Sequence, residues 1–105
     1  MKKYAQAAEI FRKVIAAQAD SSKVHFHLAM CLEKLGRNQE AIDEYFTTIY
    51  TFSDDEYKIK SYFRIAKIYE DENNFSGAKE IYKKLIEFDV KEAKIARARL
   101  KDLEN

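Results

Sequence analysis

Two histidines, one cysteine and two short carboxylate runs are the side chains that first invite a chemical reading. His25 and His27 stand two residues apart. On a helix they point about 200° away from each other, so one metal ion cannot take both. The single cysteine excludes an internal disulfide and any zinc site that needs several thiolates. Cys31 lies among Ala29, Met30 and Leu32 with no neighbouring base in the sequence, and reads as a small core residue rather than a nucleophile. Asp54-Asp55-Glu56 and Glu70-Asp71-Glu72 read as solvated helix ends, because a calcium loop spreads its ligands over a glycine-containing turn. There is no glycine-rich phosphate loop and no Ser-His-Asp arrangement. The expectation is a chain without catalytic, metal-binding or cofactor-binding residues, and not an enzyme.

The elements that position these residues are helices. Of 105 residues none is proline and two are glycine, which leaves little material for turns. That length suits one small domain. Nineteen basic and 18 acidic side chains leave a net charge of +1, which gives no overall pull toward nucleic acid or an acidic membrane. No apolar run approaches the ~20 residues of a membrane span. Met1-Lys2-Lys3-Tyr4-Ala5-Gln6 leads into an amphipathic helix rather than a signal-peptide core.

Apolar spacing places helices at about 4–18, 21–35, 39–52, 54–72, 75–88 and 91–103. Asp20-Ser21-Ser22 supplies N-cap residues for the second, and Ser53 with Glu56 has the spacing of a capping box for the fourth. Gly36 falls where a helix C-terminus needs positive φ; Asn73-Asn74 takes that place later in the chain. Ala7 and Phe11 recur as Ala41 and Tyr45, an offset of 34 (41 − 7). Leu28, Ala29, Ala41 and Tyr45 recur as Ile65, Ala66, Ala78 and Tyr82, an offset of 37 (82 − 45). The three additional residues fall near 53–56, between repeats. Asn38 or Arg37 stands at a turn where Phe75 supplies an aromatic in the next repeat.

This pattern of Leu and a small residue, then Gly, Ala and an aromatic, resembles the tetratricopeptide repeat. The resemblance implies an all-α, right-handed solenoid of antiparallel helix pairs in a single domain, 1–105. Residues 1–20 would be the second helix of a partial repeat, 21–53 and 54–90 two repeats, and 91–105 a capping helix. Ala93, Ala96, Leu100 and Leu103 form the narrow apolar stripe of that last helix, with Lys91, Lys94, Arg97, Arg99 and Lys101 around it. The first helix is apolar nearly all round, through Ala5, Ala7, Ala8, Ile10, Phe11, Val14, Ile15 and Ala17, so an uncovered flank is expected there.

In the resembling family the first helix of each repeat lines a concave groove that binds peptides or proteins. The matching residues here are Lys23, Phe26, His27, Met30 and Lys34 on one helix and Lys60, Phe63, Arg64 and Lys67 on another. Members that clamp a terminal carboxylate use basic and Asn side chains there. Lys60 and Arg64 match the basic positions, while His27 stands in place of the Asn. The implied function is a protein- or peptide-binding scaffold or adaptor, with a partner that is acidic and carries apolar anchors. A second copy docking through the first helix is a further expectation, and a structural stretch of a longer array with an empty groove is the alternative. RNA is disfavoured by the balanced charge and the lack of a recurring base-reading pattern. Lys94 to Leu103 resembles the tail of bacterial envelope proteins with these repeats, so envelope and cytoplasm both stay open.

Overall fold

The computed structural model describes residues 2–17, 21–88 and 91–104. Among them it forms six helices and no strand: α1 Lys2–Ala16, α2 Ser22–Lys34, α3 Asn38–Thr51, α4 Asp55–Asp71, α5 Phe75–Ile86 and α6 Lys91–Glu104. The chain is all-α, and its helices follow one another through the short turns of antiparallel pairs. The described helix ends lie within two residues of the expected bounds. The expected end at 18, the cap residue Asp20 and the repeat boundary at 90 fall outside the described residues. The helices divide into two compact units, Met1–Lys58 and Ile59–Asn105, with the boundary inside α4.

In the first unit α1 packs on α2 and α2 on α3. The core is built from Leu28, Ala29 and Leu32 of α2 and Ala41, Ile42, Tyr45 and Ile49 of α3, all buried. Each large apolar side chain buried this way contributes about 1.5–3 kcal/mol relative to staying in water. Ala41 is 0% exposed, which fits two helices in close approach at that point. Thr48 is equally buried and hands its hydroxyl to the Glu44 carbonyl at 3.0 Å, so this β-branched polar residue is accommodated without an orphan donor. Of α1, Ala8 is buried and Ala7, Phe11, Val14 and Ile15 are half-buried, while Ile10 is 60% exposed.

The turn after α2 is a Schellman motif. Gly36 sits at φ 77°, its N–H reaches the Glu33 carbonyl at 3.0 Å, and the Arg37 N–H reaches the Leu32 carbonyl at 2.9 Å. In the second unit Asn73 takes the same role at φ 60°, with Asn73 N–H on the Glu70 carbonyl at 2.9 Å and Asn74 N–H on Tyr69 at 2.7 Å. Both turns bend the chain back at the expected places.

The residue that caps α4 is Asp54, one place after the expected Ser53. Its Oδ1 accepts from the backbone N–H of Glu56 at 3.1 Å. Its Oδ2 accepts from the Ser22 hydroxyl at 3.1 Å, tying the start of α2 to the residue before α4 within the first unit. A carboxylate has lone pairs enough for both, and its charge suits a helix N-terminus. Ser21, by contrast, caps α2 as expected, accepting from the Val24 N–H at 3.3 Å. Phe75 stands at its turn as an exposed ring (45%).

The second unit holds the rest of α4, α5 and α6, with α6 packed on α5. Ile65, Ala66, Ala78, Tyr82 and Leu85 are fully buried, as are Ala93 and Ala96 of α6. Leu100 and Leu103 are half-buried, so the apolar stripe of α6 is used along its length.

Candidate functional site

The outward line of α2 begins with exposed Lys23, passes through half-buried His27 and Met30 and ends at exposed Lys34. Its neighbours Leu28, Ala29 and Leu32 face the core. This side of α2 is basic and partly apolar, and part of it meets α1. His27 is seated among rings: Phe11 stacks at 6.1 Å, Phe26 meets it edge-on at 5.7 Å, and Tyr57 lies 6.4 Å away. His25 points elsewhere, with Nδ1 donating to the Glu44 carboxylate at 2.7 Å and its ring against Phe52. The two histidines diverge as their spacing requires. Among the described residues no group of three or more His, Cys, Asp or Glu side chains could hold a metal ion.

Phe26 is a correction. Its ring was expected as an apolar contact for a ligand, but it is 6% exposed, held between Tyr45 at 5.5 Å and Tyr57 at 5.4 Å. One position before His27, it turns about 100° toward α3, and the aromatic pairs there outcompete solvent exposure.

On α4 the equivalent line is exposed Lys60, then half-buried Phe63, Arg64 and Lys67. Phe63 keeps part of its ring accessible, with an edge contact to Tyr82 at 6.4 Å. Ile65 and Ala66 are buried behind it. Each unit thus carries its own basic and apolar face on the first helix of a repeat.

A hollow of about 210 Å³ lies between α1 and α2, lined by Tyr4, Phe11, His27, Met30, Cys31 and Lys34. Its surface is mostly apolar. Burial pushes the Cys31 thiol above its ordinary pKa, which favours its neutral form. On the other flank of α1 a larger, more polar recess of about 500 Å³ involves Glu9, Arg12, Lys13 and Arg37. There Arg37 grips Glu40 through two hydrogen bonds, one of 2.7 Å, and this bond with the adjacent charge holds the Glu40 carboxyl below its usual range.

In the carboxylate run at 70–72, Asp71 and Glu72 are exposed as expected, and Glu70 is a further correction to the sequence reading. Glu70 is not solvated: its side chain is 9% exposed and accepts hydrogen bonds from the Tyr82 hydroxyl and the Arg99 guanidinium. Burial works to raise its pKa, but the bonds from Arg99 and Tyr82 prevail and the net shift is downward. Tyr82 is pushed well above the ordinary tyrosine range by burial and by its bond to Glu70. The other repeat contains the same device, with the Tyr45 hydroxyl donating to Glu33 at 2.8 Å. Glu33 and Tyr45 recur as Glu70 and Tyr82 at the offset of 37 (70 − 33). That recurrence was the available signal for a polar pair joining the two helices of each repeat.

Two family models described as tetratricopeptide repeat match the chain, one over residues 1–57 and one over residues 59–89. No curated protein and no solved structure matches it. The first match alone spans more than half of the 105 residues, and the two together agree with the helix pairs, the paired Schellman turns and the buried Ala41 and Ala78 described above. The chain belongs to the tetratricopeptide repeat family.

Proposed function

We propose that the chain is a non-enzymatic protein-binding module, a scaffold or adaptor, that takes a segment of a partner protein on the outward faces of its first helices. Repeats of this family generally mediate protein–protein interaction, and the proposal treats 1–105 as one such domain: part-repeat 1–20, repeats 21–53 and 54–90, and capping helix 91–105. The observation that carries it is the recurring pattern of accessibility: Lys23, His27, Met30 and Lys34 on α2 and Lys60, Phe63, Arg64 and Lys67 on α4 all remain at least partly open while their neighbours are buried. Basic side chains around an apolar ring or thioether suit a segment with apolar anchors among carboxylates. Arg64 is the strongest single contributor, since a guanidinium pairs a carboxylate with two hydrogen bonds.

The test starts with peptides selected from a displayed random library against the full chain, followed by calorimetry. Arg64→Ala and Met30→Ala should each weaken the peptides that select its own face about tenfold, and acidic peptides more than neutral ones. Unchanged affinity in both variants, with helicity intact, would move the binding surface off these faces. The second reading, a structural stretch of a longer array with nothing bound on α2 or α4, is favoured by the uncovered flank of α1, where Ile10 is 60% exposed. It predicts that the selection enriches no peptide that Arg64→Ala or Met30→Ala affects.

A further inference from the structure

Two exposed helix faces of opposite charge remain, one on α3 and one on α6. We propose that the α6 face of one copy docks on the α3 face of a second copy, joining chains head to tail. The contact uses neither of the peptide-binding faces of α2 and α4.

On α3 the outward stripe is Gln39, Asp43, Phe46 and Tyr50, at helical spacings of 4, 3 and 4. Phe46 and Tyr50 stack, with ring centroids 5.8 Å apart and planes 10° apart. Tyr50 is 72% exposed, more than any other large apolar side chain described. A stacked pair left open to water is apolar surface with an electron-rich ring face, and that face attracts a cation. The charge beside it has the same preference. α3 holds Glu40, Asp43 and Glu44 and, alone of the six helices, no lysine or arginine. Arg37 takes up Glu40 and His25 takes up Glu44, while Asp43 is in no ion pair among the described residues.

α6 supplies the complement. Lys91, Lys94, Ala98 and Lys101 form its exposed stripe at spacings of 3, 4 and 3, with Ile95 40% exposed beside it. None of these lysines is in an ion pair among the described residues, and Asp102 is bonded to Arg99 at 3.4 Å. Lys94 and Lys101 are seven residues apart (101 − 94), as are Asp43 and Tyr50 (50 − 43). Each pair therefore spans about 10 Å of helix. With α6 laid along α3, one lysine meets the Asp43 carboxylate while the other lies over the Tyr50 ring. Ala98 between them is small enough to admit Phe46. The open flank of α1 does not compete for α6, because Lys2, Lys3, Arg12 and Lys13 outnumber Glu9 there and repel it. A net charge of +1 sets up little repulsion between whole copies. The two faces differ, so docking leaves one α3 face and one α6 face free, and the assembly grows unless it closes into a ring.

One helix laid on another buries less than the ~1,600 Å² of a standard interface, so the contact is weak and is sought at high concentration. Sedimentation equilibrium of the full chain from about 0.02 to 1 mM should show a mean mass that rises above the monomer. The association should weaken about tenfold when salt is raised from about 0.05 to 0.5 M. Asp43→Ala with Tyr50→Ala removes the α3 face, and Lys94→Glu with Lys101→Glu removes the α6 face. Each double variant by itself should stay monomeric, with helicity unchanged by circular dichroism. Mixed in equal amounts, the two should form a dimer and nothing larger, since each brings the face that the other lacks. Arg64→Ala should associate like the parent. A parent that stays monomeric at the highest concentration and low salt overturns the proposal. So does a mixture that stays monomeric, or an association that either double variant keeps. Loss on Tyr4→Asp in place of these variants also overturns it, and moves the contact to α1.

Discussion

Asn74 and Gly77 work as a pair at the start of α5. The Asn74 side chain accepts from the Gly77 N–H at 3.0 Å, and a Cβ on Gly77 would meet Asn74 Nδ2 at 2.8 Å and Tyr69 Cδ2 at 3.0 Å. In the first unit the equivalent residues are Arg37 and Glu40, where no side chain caps α3 and the guanidinium–carboxylate pair spans the first turn instead. Gly→Ala inside a helix ordinarily stabilises by about 1 kcal/mol. Gly77→Ala should not, because the gain is offset by a displaced cap of similar worth. A thermal melt with the usual gain would show the cap surviving the substitution. Gly36→Ala should cost about 1 kcal/mol for a different reason, the left-handed backbone at φ 77°. The glycine at that turn was readable from the sequence, since its neighbours stop the apolar pattern of α2. The Asn74–Gly77 pairing was not, because it depends on a distance between side chain and backbone that spacing alone does not report. Ser61 makes a third residue-scale case. It is fully buried and its Oγ finds no hydrogen-bond partner among the described residues. Ser61→Ala removes a desolvated hydroxyl and should raise stability by up to about 1 kcal/mol in a urea melt.

Helices of the second unit are joined by polar as well as apolar contacts, and the acidic limb of stability should reveal it. Glu70 of α4 holds Tyr82 of α5 and Arg99 of α6 at once. Its pKa is lowered from the ordinary 4.5 despite burial, so the stabilisation it brings is present above that value and is lost as pH falls through the lower folded-state value. Glu70→Gln should therefore be less stable than the parent at neutral pH, and the gap should close on acidification well below pH 4.5. Urea melts at both pH values measure it; a gap that persists in acid would show that the charge of Glu70 is not what matters. The apolar half of the same architecture was legible: Ala41 and Ala78 were marked by their recurrence, and both are 0% exposed. Ala78→Leu should overpack α5 and cost about 1–3 kcal/mol. What escaped the reading was the polar half. Glu70 looked like one carboxylate in a charged run, and one of its partners is Arg99 of α6, which no periodicity links to it. Phe26 escaped for a related reason: a residue one step from an open line shares its neighbourhood in sequence but turns about 100° into the core.

For the whole molecule, charge decides between classes of partner. Nineteen basic and 18 acidic side chains give a net charge of +1, so attraction to a polyanion must come from local faces and not from the chain as a whole. The basic residues of those faces are few and spaced by apolar ones: Lys23 and Lys34 flank His27 and Met30 on α2, and Lys60, Arg64 and Lys67 flank Phe63 on α4. A nucleic-acid surface needs many phosphate contacts, and each contributes to the fall of affinity with salt. A protein segment needs a small number of buried anchors with charges around them. Anisotropy with a labelled single-stranded RNA of about 20 nucleotides should therefore show no saturable binding at physiological salt, and only a weak, steeply salt-sensitive signal at low salt. An acidic amphipathic peptide should behave otherwise. Its affinity should decline by a modest factor over the same salt range, because its apolar contact, with Met30 on one face or Phe63 on the other, is not screened. Saturable RNA binding at physiological salt, lost on Lys60→Ala and Arg64→Ala, would assign the faces to phosphate and displace the protein-binding reading.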